Sequence, residues 1–236
     1  MNKGHTVAEN LAWIRERVEQ AAARAGRGAE EITLVGVSKT FRADKIREAY
    51  QAGVRHFGEN RVQEWEEKRG PVADLAATWH LVGHLQSNKA KRAARLFHAV
   101  DSVDDAPLAQ KLDQAVREKA AEEGRARLRV LIEVRVSDES AKSGADEADL
   151  PALAERVLAL PNLELAGLMC IPPLLGDAES ARPYFRRLRV LRERLSTQVK
   201  APLPVLSMGM SYDFEVAVEE GATEVRVGTA LFGSRR

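Results

Sequence analysis

Lys39 follows the apolar run ITLVGV (Ile32 to Val37) after a single serine. A lysine emerging at the end of a buried strand is partly desolvated, which lowers its pKa and makes the neutral amine available for imine formation with a carbonyl compound. By itself such a lysine is more often a solvated loop charge. Its weight comes from two motifs near the C-terminus, SMGMS (Ser207 to Ser211) and VRVGT (Val225 to Thr229). Gly209 and Gly228 permit close backbone approach, and Ser211 can cap a following helix while donating to an oxyanion. The N–H groups around Gly228 and Thr229 add donors. Either turn alone reads as an ordinary helix cap. Together they read as a phosphate cup.

Arg226 lies between Val225 and Val227, so strand alternation directs its guanidinium to the opposite side from both valines. If the valines face helices, Arg226 faces an interior, where arginine needs a partner. An interior carboxylate such as Glu133 is one choice, and the ring nitrogen of a bound heterocycle is the other. In the second case the permanent charge keeps that nitrogen unprotonated, and the ring becomes a weak electron sink.

Polar residues also follow two other apolar runs: His56, Gly58, Glu59 and Asn60, then His80, Gly83, His84, Gln86, Ser87 and Asn88. Most read as supporting or capping groups, with Asn88 a natural N-cap. The histidines are not spaced as a metal site with Cys170 and no HExxH occurs, so no metal is expected. Lys89, Lys91, Arg92 and Arg95 form a basic helix face without interleaved aromatics, which reads as a solvated surface.

The elements that must position these groups alternate along the chain. Thr6 and Glu9 have capping-box spacing, and Val7, Leu11, Ile14, Val18, Ala22 and Ala25 then recur at helical spacing until Gly26. ITLVGV suits a strand buried on both faces, followed by a helix ending near Gly53. The alternation repeats with strands at Val54 to Phe57, Thr78 to Val82, His98 to Val100, Arg127 to Val134, Leu163 to Met169, Pro204 to Met208 and Thr223 to Val227. The intervening helices are expected near Val62 to Arg69, Asn88 to Arg95, Asp104 to Glu122, Leu150 to Leu160, Ala178 to Thr197 and Tyr212 to Glu220. Eight βα units in this length predict a closed (β/α)8 TIM barrel with an extra N-terminal helix. An open dinucleotide-binding sheet is disfavoured because no GxGxxG follows the first strand. Barrel chemistry sits at the C-terminal ends of strands, and phosphate is commonly held after strands seven and eight, where SMGMS and VRVGT fall. The stretch from Arg135 to Asp149, containing SDESAKSGAD, reads as a loop over the mouth.

A chain of 236 residues, 44% hydrophobic, suits one barrel, which typically needs about 250 residues. Residues 1–236 are therefore expected to form a single domain. The formal net charge is +1, so no global field favours nucleic acid or an anionic membrane, and an anion site must be local. One cysteine excludes an intramolecular disulfide, no run approaches the ~20 apolar residues of a membrane span, and the N-terminus lacks a signal core. A cytoplasmic protein follows, and a monomer is the expected state.

These motifs resemble those of the YggS/PROSC pyridoxal phosphate homeostasis proteins over nearly the whole chain. The resemblance is carried by LVGVSKT around Lys39, HFGEN ending at Asn60, GHLQSNK from Gly83 to Lys89, SDESAKSG before Ala145, LMCIPP from Leu168, LSMGMSYDF and VRVGTALFG. It implies a fold similar to the barrel domain of alanine racemase and pyridoxal 5′-phosphate (PLP) held as a Schiff base on Lys39. By the racemase-like pattern, Ser211, Gly228 and Thr229 hold the phosphate, Arg226 faces the pyridine nitrogen, and Asn60 lies in the cofactor pocket. The implied role is intracellular PLP homeostasis without substrate turnover, with no catalytic residue of its own and PLP-dependent apoenzymes as recipients. Racemases and related decarboxylases carry a further β domain that helps complete their sites, and an opposed base has no obvious source in this sequence. The alternatives are a PLP-dependent racemase, decarboxylase or lyase, and a Schiff-base aldolase using the same phosphate cup.

Overall fold

The computed structural model describes residues 6–123, 127–137, 143–173 and 176–233. Among these residues the strands β1 (Thr33–Val37), β2 (His56–Glu59), β3 (Thr78–Leu81), β4 (Ala99–Val103), β5 (Leu128–Glu133), β6 (Leu163–Met169), β7 (Val205–Met210) and β8 (Glu224–Val227) pair in parallel and in chain order. β8 closes on β1, with Leu34 opposite Val225 and Val35 opposite Arg226. The result is the closed barrel expected from the eight alternating units.

Helices α1 (Val7–Arg24), α2 (Ala43–Ala52), α3 (Val62–Lys68), α4 (Ala90–Leu96), α5 (Ala106–Glu123), α6 (Leu150–Leu158), α7 (Arg182–Val199), α8 (Phe214–Glu219) and α9 (Thr229–Phe232) accompany the strands, together with short 3-10 turns. The capping box is formed: Thr6 N–H donates to Glu9 Oε2 at 2.7 Å, and Glu9 N–H donates to Thr6 Oγ1 at 3.2 Å. The apolar stripe of α1 then buries Val7, Leu11, Ile14 and Val18, and Arg17 and Arg24 tie its solvent side to Glu215 and Glu219 of α8.

Period-two alternation sorts the strand residues into two layers. Val130, Ile132 and Val134 join the large apolar cluster between barrel and helices. Leu131 turns the other way and packs on Ala166 and Met169 inside the lumen. Val225 and Val227 belong to the outer cluster, so Arg226 points into the lumen as alternation requires.

The boundaries differ from expectation in three places that matter for the site. β2 starts at His56 because Val54 N–H is used to close α2 on Ala49 O, beside Gly53 at φ 109°. It runs on to Glu59, and so takes that carboxylate into the sheet. β7 continues to Met210, which places Gly209 within the strand. Asn88 does not cap α4: it sits inside a 3-10 turn, Ser87–Lys89, and no side chain caps the helix. Of the expected mouth loop, residues 138–142 lie outside the described residues. Its flanks are joined by a bridge between Val134 and Ala145, with Arg135 paired to Asp146.

Candidate cofactor site

The turn carrying Lys39 is held from below. Ser38 N–H donates to Gly58 O at 2.9 Å, and Ser38 Oγ donates to Glu59 Oε1 at 2.5 Å. Lys68 reaches up from α3 to pair with Glu59 Oε2 at 2.9 Å while also donating to Ser38 O at 2.8 Å. Burial pushes the Glu59 carboxyl above its usual range, opposed by Lys68 and the Ser38 hydroxyl. Glu59, expected among the mouth residues, is thus a buried anchor of the Ser38–Lys39 turn. Thr40 adopts φ 66°, a left-handed conformation that a β-branched residue rarely takes. Glu64 accepts its N–H at 2.5 Å, and Phe41 stacks on Phe232 of α9 with centroids 4.9 Å apart. Lys39 is therefore half-buried on a turn whose flanking residues are fastened to β2, α3 and α9.

The second wall is the pair of C-terminal turns. Ser211 Oγ accepts from Gly228 N–H and from Ala230 N–H, both at 3.1 Å. Ser211 therefore does not cap α8. The N-cap there is Asp213, whose carboxylate accepts from Met210 N–H at 2.6 Å. The two glycines also separate in role. A Cβ on Gly209 would lie 2.5 Å from Ala217 Cβ, so this glycine at φ 90° makes room for α8. A Cβ on Gly228 would meet only Val37, 3.4 Å away at its carbonyl oxygen. Packing within the chain does not demand glycine at 228, and the space in front of it adjoins the end of β1, two residues before Lys39. Thr229, half-buried, begins α9 beside this space. Two N–H groups and a hydroxyl converging on one point suit an oxyanion, whose oxygen can replace Ser211 Oγ as acceptor while that hydroxyl turns to donate.

Arg226 is 3% exposed, and donates to Ser207 Oγ at 2.7 Å and to Cys170 O at 2.9 Å. It makes no ion pair with Glu133 among the described residues; the two interact only through their charges. Cys170 contributes its carbonyl, and burial pushes its thiol up to about 12. Asn60 is half-buried at the end of β2. A Cβ on Gly83 would lie 2.4 Å from Asn60 O, so that glycine lets the loops after β2 and β3 touch.

One arrangement is not legible in the sequence. At the floor of the barrel, His80 Nδ1 meets Asp101 Oδ2 at 2.9 Å and His80 Nε2 meets His56 Nδ1 at 3.1 Å, while Arg129 pairs with Glu224 at 2.8 Å. Burial opposes charge on His80, yet attraction to Asp101 and Glu224 outweighs it and raises the pKa. His56 is shifted down by burial and by His80. A charged His80 that donates to Asp101 and to neutral His56 satisfies both shifts. Potential ligand atoms of His80, Asp101 and Glu224 lie within 4.8 Å of one another, but the two carboxylates are already balanced by Arg129 and the imidazolium. Three strands assemble this group, so no local spacing of ligand residues announces it. At the opposite end, Glu133 of β5 enters the lumen at the mouth, 3% exposed.

The pattern of the family described as "Alanine racemase, N-terminal domain" matches residues 9–236. A pyridoxal phosphate homeostasis protein of Aquifex aeolicus is 46% identical over 229 residues, covering 97% of this chain and 98% of the relative. The protein of that name from Escherichia coli K12 is 43% identical, over 97% of each. The chain belongs to the pyridoxal phosphate homeostasis protein family. Among solved structures, PipY of Synechococcus elongatus PCC7942, described with PLP bound, is 41% identical with a TM-score of 0.84, covering 96% of this chain and all of PipY. Alanine racemase from Corynebacterium glutamicum, 18% identical with a TM-score of 0.68 over 95% of this chain and 59% of its own, shares the fold.

Proposed function

We propose that this protein binds PLP reversibly and serves its homeostasis as a carrier, with no amino acid turned over. In this reading Lys39 Nζ forms the covalent attachment to the cofactor aldehyde. Ser211, Gly228 and Thr229 surround the phosphate, Arg226 faces the pyridine nitrogen, and Asn60 lines the pocket. The bound group supplies an electrophilic aldehyde carbon and a pyridine ring. Arg226, already spending two of its donors on Ser207 and Cys170 O, carries no proton that it would surrender to that ring. Ring protonation is thereby disfavoured, which makes the ring a weaker electron sink.

The observation that carries the reading is the convergence of Gly228 N–H, Ala230 N–H and the Ser211 hydroxyl beside the end of β1. The names of the relatives, and the PLP in the PipY structure, support the same ligand. Residues 1–236 act in this proposal as one cofactor-binding domain, monomeric and cytoplasmic, passing PLP to apoenzymes that require it. No helix among the described residues is long and apolar enough to cross a membrane.

Borohydride reduction of the PLP-loaded protein, followed by intact mass and peptide mapping, tests the attachment. One cofactor adduct on Lys39 is expected, absent from a folded Lys39→Ala variant. An adduct retained in that variant on another lysine overturns the assignment. Incubation with L- and D-amino acids in deuterated water tests the carrier role, which Lys39-dependent turnover at ordinary enzyme rates of about 1–1000 per second would overturn.

A further inference from the structure

The chain leaves β1 through a tight turn. Phe41 N–H donates to Ser38 O at 3.1 Å, so Lys39 and Thr40 occupy the two corners of a four-residue turn. Of the two, only Thr40 has a positive φ, at 66°, which is the pattern of a type II turn. That third position favours glycine or asparagine, and a β-branched threonine is strained there. Thr40 is exposed, so burial of its side chain does not hold it in this conformation.

What holds the turn is one face of α3. Glu64 and Lys68 stand one helical turn apart. Glu64 Oε1 accepts the Thr40 N–H at 2.5 Å and pairs with Lys68 Nζ at 3.0 Å. The same ammonium donates to Ser38 O at 2.8 Å and to Phe41 O at 3.4 Å, the carbonyls at the two ends of the turn, and pairs with buried Glu59. Burial opposes charge on Glu64, but the Thr40 N–H and Lys68 outweigh it and hold the carboxyl below its usual range. The acceptor of the Thr40 N–H is therefore ionised at neutral pH. Strained backbone persists only where its surroundings over-determine it, and such strain clusters at binding and catalytic sites.

We infer that Glu64 and Lys68 are positioning residues for Lys39: the pair keeps Thr40 left-handed, and that backbone conformation aims the lysine at the space in front of Gly228. The inference rests on the reading of Lys39 as the cofactor-bearing lysine. Ser38 is fixed by Gly58 O and Glu59, and Phe41 by its stacking on Phe232. A relaxation of Thr40 to negative φ is therefore taken up between them, at Lys39. Attachment joins Lys39 Nζ to the cofactor's aldehyde carbon and releases one water, so it requires that nitrogen at that carbon. Binding through the phosphate does not. The clamp thus governs covalent attachment and leaves the affinity anchored by phosphate alone. Without it, the intrinsic preference of an L-residue against this region leaves roughly one molecule in 5 to 30 with Lys39 aimed, and the apparent affinity falls by the same factor.

The test titrates two ligands: PLP, and pyridoxine 5′-phosphate, which carries an alcohol in place of the aldehyde and cannot attach. The proteins are wild type, Glu64→Ala, the pair Lys68→Met with Glu59→Gln, and the pair Glu64→Ala with Thr40→Asn. Replacing Lys68 and Glu59 together avoids leaving one buried charge alone. Glu64→Ala and the Lys68/Glu59 variant should each weaken PLP binding roughly 5- to 30-fold and pyridoxine 5′-phosphate binding hardly at all. Where one of these two does not fold, the other carries the comparison. Asparagine enters the left-handed region readily, so Thr40→Asn should restore most of the PLP affinity lost in E64A. In the cofactor-free protein, the Thr40 amide should exchange with deuterium faster in E64A than in wild type. Equal weakening of both ligands, undiminished PLP binding, or no recovery on adding Thr40→Asn overturns the inference. Failure of wild type to carry the cofactor on Lys39 at all would instead overturn the underlying assignment.

Discussion

Ser211 Oγ and the backbone N–H of Gly228 lie 3.1 Å apart, a serine after β7 joined to a glycine after β8. The hydroxyl holds together the donor set proposed for phosphate. Ser211→Ala removes one hydrogen bond to a charged group, about 1.5–3 kcal/mol, which weakens PLP binding roughly 10- to 150-fold. Pyridoxal, lacking the phosphate, should lose far less. Titration of both compounds against both proteins checks this, and equal losses would remove Ser211 from the phosphate site.

Thr40 is held at φ 66° next to Lys39, a conformation costing about 1–2 kcal/mol for an L-residue with a Cβ. Asparagine tolerates that region better. Thr40→Asn is expected to raise unfolding stability by about 1 kcal/mol, read as a shift of the urea midpoint at constant slope. An unchanged or lowered midpoint would show that the turn stores no strain.

His80 links the floor of the barrel to pH. Its folded pKa is raised, so its contribution to stability is complete below the unfolded value of about 6.5 and is lost as pH rises through the folded value. His80→Gln should be less stable than wild type, because Asp101 loses its cation. The stability difference between the two proteins should shrink from acid toward alkaline pH. A difference independent of pH would mean that His80 is neutral in the fold.

Cys170 offers its carbonyl to Arg226 while its thiol is fully buried and shifted up to about 12. Reactivity requires the thiolate and access. Thiol reagents at neutral pH should leave the folded protein unlabelled and modify Cys170 only on unfolding, measured by mass spectrometry. Rapid labelling of the native protein would show that the β6 end opens.

Much of the site was legible in the sequence because it depends on local order. Apolar runs of strand length, each followed by a helical period, dictate a βα alternation, and eight of them dictate closure of the barrel. Lys39 after ITLVGV, and Ser211 and Gly228 after the last two strands, then fall at the mouth whatever the details. The single alternation Val225–Arg226–Val227 was enough to turn Arg226 inward, since a strand has only two faces.

What the tertiary structure alone decided is which side chains meet once the strands are closed into a ring. Glu59 looked like a mouth residue until the added length of β2 buried it on Lys68. Gly209 looked like a ligand approach until α8 was seen to occupy its missing Cβ. His80, Asp101 and Glu224 stand far apart in the sequence and share no local spacing, so their union at the floor needed the register of β3, β4 and β8. Glu133 was legible as an interior carboxylate, but that Ser143 and not Arg226 holds it was decided by the fold. Periodicity tells each residue which face it takes, but only ring closure sets who stands opposite.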